Sequence, residues 1–482
     1  MSRRNIIVLL ICLAATGGRC WKINAPFTDL WSWRQSDVAA IARNYSETGF
    51  HFARPQIDWA GDQPGYVGTE FPLLPFTAAI AYKVVGVHEW IGRGETVFLF
   101  VFSLPFFLGI ARQLLGDVGA IFALVFYCFA PLSIAAGRAF MPDVPSLSFA
   151  LAGLYFFQRA LAAPPDNGGW HLLVAAVMTS LALLIKIPTI TIAAPMAALV
   201  WRKFGWSLFR QPILWLFAAI SLLPSLIWYW HAHQLAQRFY PYHFFGGGGV
   251  RIMNWKWYWD IAVQTFSSSL TPLLFILSGM GILLSRKDLE LAPFRWWLVA
   301  MLLFVMAVGY GNRHQWYQLP LVPIAAVFGG VAVGFAAKKW SLRRAAVPIV
   351  ILFLGFSFLA SRRFFASPAE PLWQLGLVLR DRTPGNALII SADDGDPTAL
   401  YYAHRKGWHF LQRHGLYYGN PSDSAQILAN LEQLRQRGAT HLVFYSGTMW
   451  WFNGYSAFAE ELKRRSALED ATATYRIYKL TQ

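Results

Sequence analysis

The chain has 482 residues, of which 56% are hydrophobic and only 14% charged, and its formal charge is +16. Charged residues make up about 25% of a water-soluble globular domain, so this composition excludes one and indicates a polytopic membrane protein. The lysines and arginines cluster in short stretches between apolar runs, as in the inner loops of membrane proteins, which excludes a nucleic-acid role.

The opening MSRR and the apolar residues 5–16 have the charged start and short core of a signal peptide, without a convincing small-residue cleavage site before Trp21. Either way, the long loop at residues 21–92 is sent to the outer face. Apolar runs follow at residues 95–111, 118–136, 146–161, 170–185, 188–201, 212–230, 261–284, 294–310, 319–337 and 345–360. With the first, these make about eleven crossings. Alternating the side at each run places Arg112, Arg202, Lys203, Arg210, Arg286, Lys287, Lys338, Lys339, Arg343 and Arg344 inside. That parity requires residues 71–86, which carry Lys83, to form an interfacial or re-entrant helix rather than a span.

From residue 366 the composition becomes that of a soluble protein. Residues 372–383 have helical spacing, 387–394 read as a buried strand, 424–438 as a capped amphipathic helix, and 440–445 and 475–480 as strands. The expected fold class is therefore a polytopic α-helical membrane protein with interfacial helices and a C-terminal soluble α/β domain. Its domains are residues 1–365, with the outer loop 21–92, and residues 366–482. The three cysteines, Cys12, Cys20 and Cys128, show neither a disulfide framework nor metal-ligand spacing.

Charged groups at a membrane edge are costly to place there, so they suggest function. The first loop carries Asp29, Asp37, Glu47, Asp58, Asp62 and Glu70, and GRAFMPDVP supplies Arg138 and Asp143. Asp37 lies in SDVAAIARNY, where Ser36 reads as a helix cap and Asp37 falls in the first turn. Trp31, Trp33 and Arg34 precede it, and aromatic faces with fixed cations suit a sugar phosphate. Lys186 ends an apolar run, and GNRHQWYQLP contributes Arg313, His314 and Tyr317. For Lys186 an interface anchor competes with a phosphate contact; for Arg313 and His314 the anchor is the simpler reading. The glycine-rich loop at residues 240–260 suits either a closing lid or a connector.

SWRQSDVAAIARNYSETG, GYVGTEFPLLPF, GRAFMPDVPSLSF, LLIKIPTITIAAP, HQWYQLPLVP and PGNALIISADDGDPTALYYAHRKGW together resemble the integral-membrane C-type glycosyltransferases. This large bacterial family includes the aminoarabinose transferases of lipid A, the galacturonic acid transferases of lipopolysaccharide core and relatives of the protein O-mannosyltransferases. The resemblance runs over nearly the whole chain in the same order. It implies transfer of a sugar from a polyprenyl-phosphate carrier to a lipid, glycan or protein hydroxyl, with inversion, by an enzyme of the bacterial inner membrane. The active site and C-terminal domain would face the periplasm or exterior.

The resemblance also implies an acidic general base in the first outer loop. Asp37 matches it best through the following triplet Ile41 to Arg43; Asp29 remains a rival because the acid lies further upstream of that triplet in the aminoarabinose branch. Where that branch has a phosphate-contacting lysine, this chain has Glu70 and Phe71, so the phosphate role falls to Arg34, Lys186, Arg313 or His314. Asp143 and Glu70 are orienting or metal-binding partners. Divalent metal use differs among relatives and no ligand set here selects one, so a divalent cation stays an open cofactor. A lipid or glycan transporter or flippase is the rival class, disfavoured because the polar residues gather on one face and no internal repeat is visible. A glycan polymerase or ligase is the nearer rival. The whole reading expects Asp37 and Asp143 to share a pocket.

Overall fold

A computed structural model describes residues 3–164, 168–239, 250–340, 344 and 346–481. By its contacts the chain divides into two compact units, one of Met1–Ile23, Arg93–Trp230 and Phe245–Arg363, the other of Asn24–Gly92, His231–Phe244 and Phe364–Gln482.

The first unit is helical. Among the described residues six helical stretches are long and apolar enough to cross a membrane: Glu89–Phe129, Gly168–Ile185, Pro212–Phe239, Leu289–Ala307, Leu321–Trp340 and Val347–Arg382. A bent pair makes up to seven, fewer than the runs counted in the sequence. Several of those runs are merged or broken. Residues 95–111 and 118–136 fall mostly in one kinked helix whose break is Gly116, at φ 67°. Residues 188–201 become a 3₁₀ turn, Ile187–Ile192, and a helix of 12 residues, Ala193–Phe204.

The run at residues 261–284 is also broken, by 105° between Trp255–Ser269 and Pro272–Leu284. Thr271, at φ 78°, starts the second helix and accepts from the Leu274 amide, with Pro272 at the first helical position. The polar run before the break, TFSSS, finds partners within the protein: Thr265 and Ser269 donate to the Gln318 side chain at 2.9 and 2.7 Å. Satisfying such groups internally is what allows an irregular backbone at membrane depth.

The N-terminal run forms α1 (Arg3–Cys20), which is built into this unit through a buried arginine. Arg19 donates to the carbonyls of Ala15 and Cys128 and to both oxygens of Ser133, and its guanidinium lies 3.5 Å from the Phe100 ring centroid.

The second unit joins the first long loop to the C-terminal part, so it crosses the expected boundary at residue 365. The loop contributes α2 (Ser32–Thr48) and α3 (Leu73–Val85). At 13 residues, α3 is a short apolar helix. The C-terminal part adds a helix Glu370–Arg382 and a five-stranded sheet in the order β2-β1-β5-β7-β6. Its strands are β1 (Leu388–Ala392), β2 (Lys406–His409), β5 (His441–Tyr445), β6 (Ser466–Ala471) and β7 (Tyr475–Leu480), with β3 (Gln412–Arg413) and β4 (Leu416–Tyr417) forming a separate hairpin. β1 pairs in parallel with β2 and β5, while β7 runs antiparallel to both β5 and β6.

Alternation along the strands makes two cores. Ile389, Val443 and Ile477 pack with Leu375 and Leu379 and with Ile41, Tyr45, Ile57 and Trp59 of the first loop. Ile390, Leu442 and Phe444 pack on the opposite side with Ile427, Leu434, Phe458 and Leu462. The loop belongs to this unit because its apolar residues complete one face of the sheet.

Gly61 shows how closely they fit. It holds φ 63°, and a Cβ there would overlap the indole of Trp408. Gly61→Val is expected to destabilise this unit by about 1–3 kcal/mol through overpacking and backbone strain, measured as a lower melting temperature in detergent.

Candidate functional site

In the second unit, α2 begins earlier than its sequence suggested. Ser36 is not its cap and Asp37 lies in the second turn of Ser32–Thr48. The Ser36 hydroxyl instead pairs with Thr398 Oγ1 at 2.9 Å. The start of the helix is served by Asp29, whose Oδ1 accepts from the Trp31 amide at 3.2 Å and from Gln35 Nε2 at 2.7 Å. Trp33, on the same first turn, is half-buried.

Asp37 is buried and held at both oxygens. Trp59 Nε1 donates to Oδ1 at 3.1 Å, and Arg34 Nη1 donates to Oδ2 at 3.2 Å. Arg34 also grips Glu70, with Nη2 2.7 Å from each carboxylate oxygen, and Thr69 donates to Glu70 at 2.7 Å. One guanidinium thus bridges two carboxylates, and the charge that the sequence offered as a phosphate contact is balanced within the cluster.

Beside this cluster lies a buried network that the sequence did not reveal. Asp58, fully buried, pairs with Arg43 and accepts from Asn44 at 3.0 Å and Lys406 at 2.7 Å. Arg43 also donates to the Tyr401 carbonyl at 2.5 Å. Burial alone would raise the Asp58 pKa, but Arg43 and Lys406 outweigh it and hold the carboxyl below its usual range. A second pair, His409 Nδ1 and Asp393 Oδ1 at 2.8 Å, is also buried. The only signals were acidic and basic letters tens to hundreds of positions apart, which spacing cannot pair.

The first unit brings together three other candidates. Lys186 Nζ donates to Asp143 Oδ1 at 2.6 Å and lies 4.8 Å from the Tyr317 ring centroid. Both charged side chains are buried, and Asp143 Oδ2 has no hydrogen-bond partner among the described residues. A buried carboxylate oxygen normally finds a donor, so this one is available to a bound hydroxyl or cation.

The remaining candidates of this unit have other engagements. Arg138 donates to the carbonyls of Trp21 and Lys22 at 3.3 and 3.1 Å. Arg313 contacts Tyr310 and His314, and His314 stacks on Trp316 with 4.6 Å between centroids. The glycine run at residues 246–249 lies outside the described residues. Among those described, no cluster of three or more ligands is arranged to hold a metal, and no metal ligand set is assigned. An apolar cavity of about 350 Å³ lies in this unit, lined by residues such as Phe157, Leu183, Met196, Leu214 and Phe217.

The chain has the fold of the integral-membrane C-type glycosyltransferases, as its sequence motifs implied. Residues 62–230 match the family model described as dolichyl-phosphate-mannose-protein mannosyltransferase. The structure is similar to that of ArnT from Cupriavidus metallidurans in the apo state, with a TM-score of 0.70 and 14% identity over 99% of this chain and 98% of that one. ArnT bound to undecaprenyl phosphate gives the same score and identity over 98% and 97%. AglB, the oligosaccharyltransferase of Archaeoglobus fulgidus, in complex with an inhibitory peptide and a dolichol-phosphate, gives a TM-score of 0.65 and 12% identity over 98% and 74%. At these identities the likeness is one of fold. No curated protein sequence matches the chain.

Proposed function

We propose that this protein is an inverting glycosyltransferase that moves a sugar from a polyprenyl-phosphate carrier to a lipid, glycan or protein hydroxyl. It would act at the outer face of a bacterial inner membrane, the side to which the basic clusters assign the first long loop. The observation that carries the reading is Asp37, a carboxylate fixed at both oxygens by Trp59 and Arg34 in a chain with this fold. That the similar ArnT binds undecaprenyl phosphate and AglB a dolichol-phosphate supports the class of donor.

Displacing a phosphate at an anomeric carbon needs a base for the incoming hydroxyl and positive charge on the departing oxygen. In the proposed step Asp37 takes the hydroxyl proton as the acceptor oxygen bonds to the anomeric carbon. The bond from that carbon to the phosphate oxygen breaks, and its electron pair leaves with the phosphate. Carboxylate oxygens have two lone pairs each, so the contacts from Trp59 and Arg34 leave capacity for this proton.

Lys186 is the best-placed cation in its unit for the phosphate, because it is buried and its described contacts are one carboxylate and one ring. Asp143 would take a donor from the sugar or carrier at its free oxygen. The apolar cavity suits an isoprenoid tail.

The reading is tested by incubating purified protein in detergent with radiolabelled sugar-polyprenyl phosphates and envelope lipid acceptors. Label should pass to an acceptor with release of polyprenyl phosphate; no turnover of any such donor overturns the reading. Replacing the pair together, Lys186→Gln with Asp143→Asn, avoids leaving one buried charge alone. It is expected to weaken undecaprenyl phosphate binding about tenfold or more, the worth of a hydrogen bond to a charged group, as measured by calorimetry.

A further inference from the structure

The His409–Asp393 pair has no part in the step just described, yet it lies behind the group that holds Asp37. The Gly407 amide donates to the Asp58 carbonyl at 3.0 Å, which sets the first loop in register along β2. The next loop residue, Trp59, therefore falls over the last residue of β2, His409, with ring centroids 5.0 Å apart and planes at 42°. Trp59 in turn donates to Asp37 at 3.1 Å. On the far side, Asp393 Oδ1 accepts from His409 Nδ1 at 2.8 Å and from the Gly395 amide at 3.0 Å. Asp393 is fully buried, and its Oδ2 has no hydrogen-bond partner among the described residues.

We infer that His409, oriented by Asp393, is a positioning residue for Asp37: it fixes the Trp59 indole whose N–H holds the carboxylate. This rests on Asp37 acting as the base. A buried imidazole and carboxylate are a poor source of stability compared with apolar residues of the same volume, so sheet packing alone does not explain them. An imidazolium facing the indole also attracts it through the ring quadrupole.

The groups facing His409 are Asp393 from the turn after β1, Asp396 after it, Asp37 from α2 and Tyr417 from β4. Burial lowers the His409 pKa, but Asp393 first, then Asp396 and Asp37, outweigh it and hold the pKa above 6.5. A histidine with a raised folded pKa contributes stability that is complete below its unfolded value and is lost as pH rises through the folded value. The hold on Trp59 therefore loosens as pH rises through that raised folded value.

The test uses full-length protein in detergent in which the 22 tryptophans are replaced by 5-fluorotryptophan, with the residue-59 fluorine signal assigned from Trp59→Phe. That signal should move with pH in the wild type and stop titrating in His409→Asn, whose amide can still donate to Asp393. In the transfer assay, His409→Asn should lower kcat about tenfold to a hundredfold with little change in KM, as expected of a misplaced base. A residue-59 signal that ignores both pH and His409→Asn overturns the inference whether or not transfer is seen. A responsive signal with unchanged kcat also overturns it, leaving a structural ion pair. A responsive signal in a protein that consumes no polyprenyl-phosphate donor upholds the link from His409 to Trp59 and sinks the glycosyltransferase reading instead.

Discussion

Asp37→Asn is expected to fold like the wild type and to lose sugar transfer by about 10²- to 10⁴-fold, the usual contribution of a positioned acid or base. The amide has nearly the same shape and can still accept from Trp59 Nε1, but it cannot take the acceptor proton. The loss should fall on kcat, because the group acts on the reacting hydroxyl rather than on the bound ground state. Asp29→Asn separates the two aspartates. Asp29 spends Oδ1 on the Trp31 amide and the Gln35 side chain, so its replacement should lower stability by no more than about 1 kcal/mol and leave turnover within severalfold. Loss of transfer in Asp29→Asn with full turnover in Asp37→Asn would move the base to Asp29. Radiolabel transfer by both variants, each checked by its melting curve, decides the matter.

Asp58→Ala should be among the most damaging substitutions in the second unit. It strands Arg43, which is 2% exposed, and removing one partner of a buried ion pair costs about 3–5 kcal/mol. Lys406→Ala should cost less than about 1 kcal/mol, because that side chain is 42% exposed and water screens its charge. The network also has a pH signature. Asp58 is held below its ordinary pKa, so its contribution is present above the unfolded carboxylate value and is lost as pH falls through the folded one. Wild-type melting temperature should therefore drop in acid more steeply than that of the Asp58→Ala protein. Equal slopes would mean that Asp58 is not what acid releases.

The C-terminal part of the chain was the most readable. In the C-terminal segment the helix Glu370–Arg382 and strands β1, β5 and β7 occur where periodicity placed them, because each buries one face of a local repeat. β6, reading SALEDA, was missed: it is a largely exposed edge strand, where burial imposes no apolar alternation. Among the described residues the long, apolar, unbroken helices are fewer than the apolar runs of the sequence, because hydropathy measures the length of an apolar run and not whether its backbone stays helical, as Gly116 and Thr271 show. Around Asp37, Arg34 was legible only as a residue shortly before it, because the helix was expected to start at Ser36; its start at Ser32 puts both on one helix, three residues apart. Glu70 was named as a partner but its pairing with Arg34 was not legible, and Trp59 was not singled out, since both arrive from a loop without periodic structure.

Membrane character, the approximate places of the helices, the C-terminal α/β unit and the family likeness all follow from the order of residues along the chain. They depend on composition, on periods of two or 3.6 residues and on short motifs, which are local properties. Which charges face one another came from three-dimensional packing: Arg34 between Asp37 and Glu70, Arg43 with Lys406 on Asp58, His409 beneath Trp59. Those partners lie up to 350 residues apart, and such pairs form only when apolar faces of distant segments close on a shared core. The first loop and the sheet meet through Ile41, Tyr45, Ile57 and Trp59 against Ile389 and Val443, and that burial carries the charges into place.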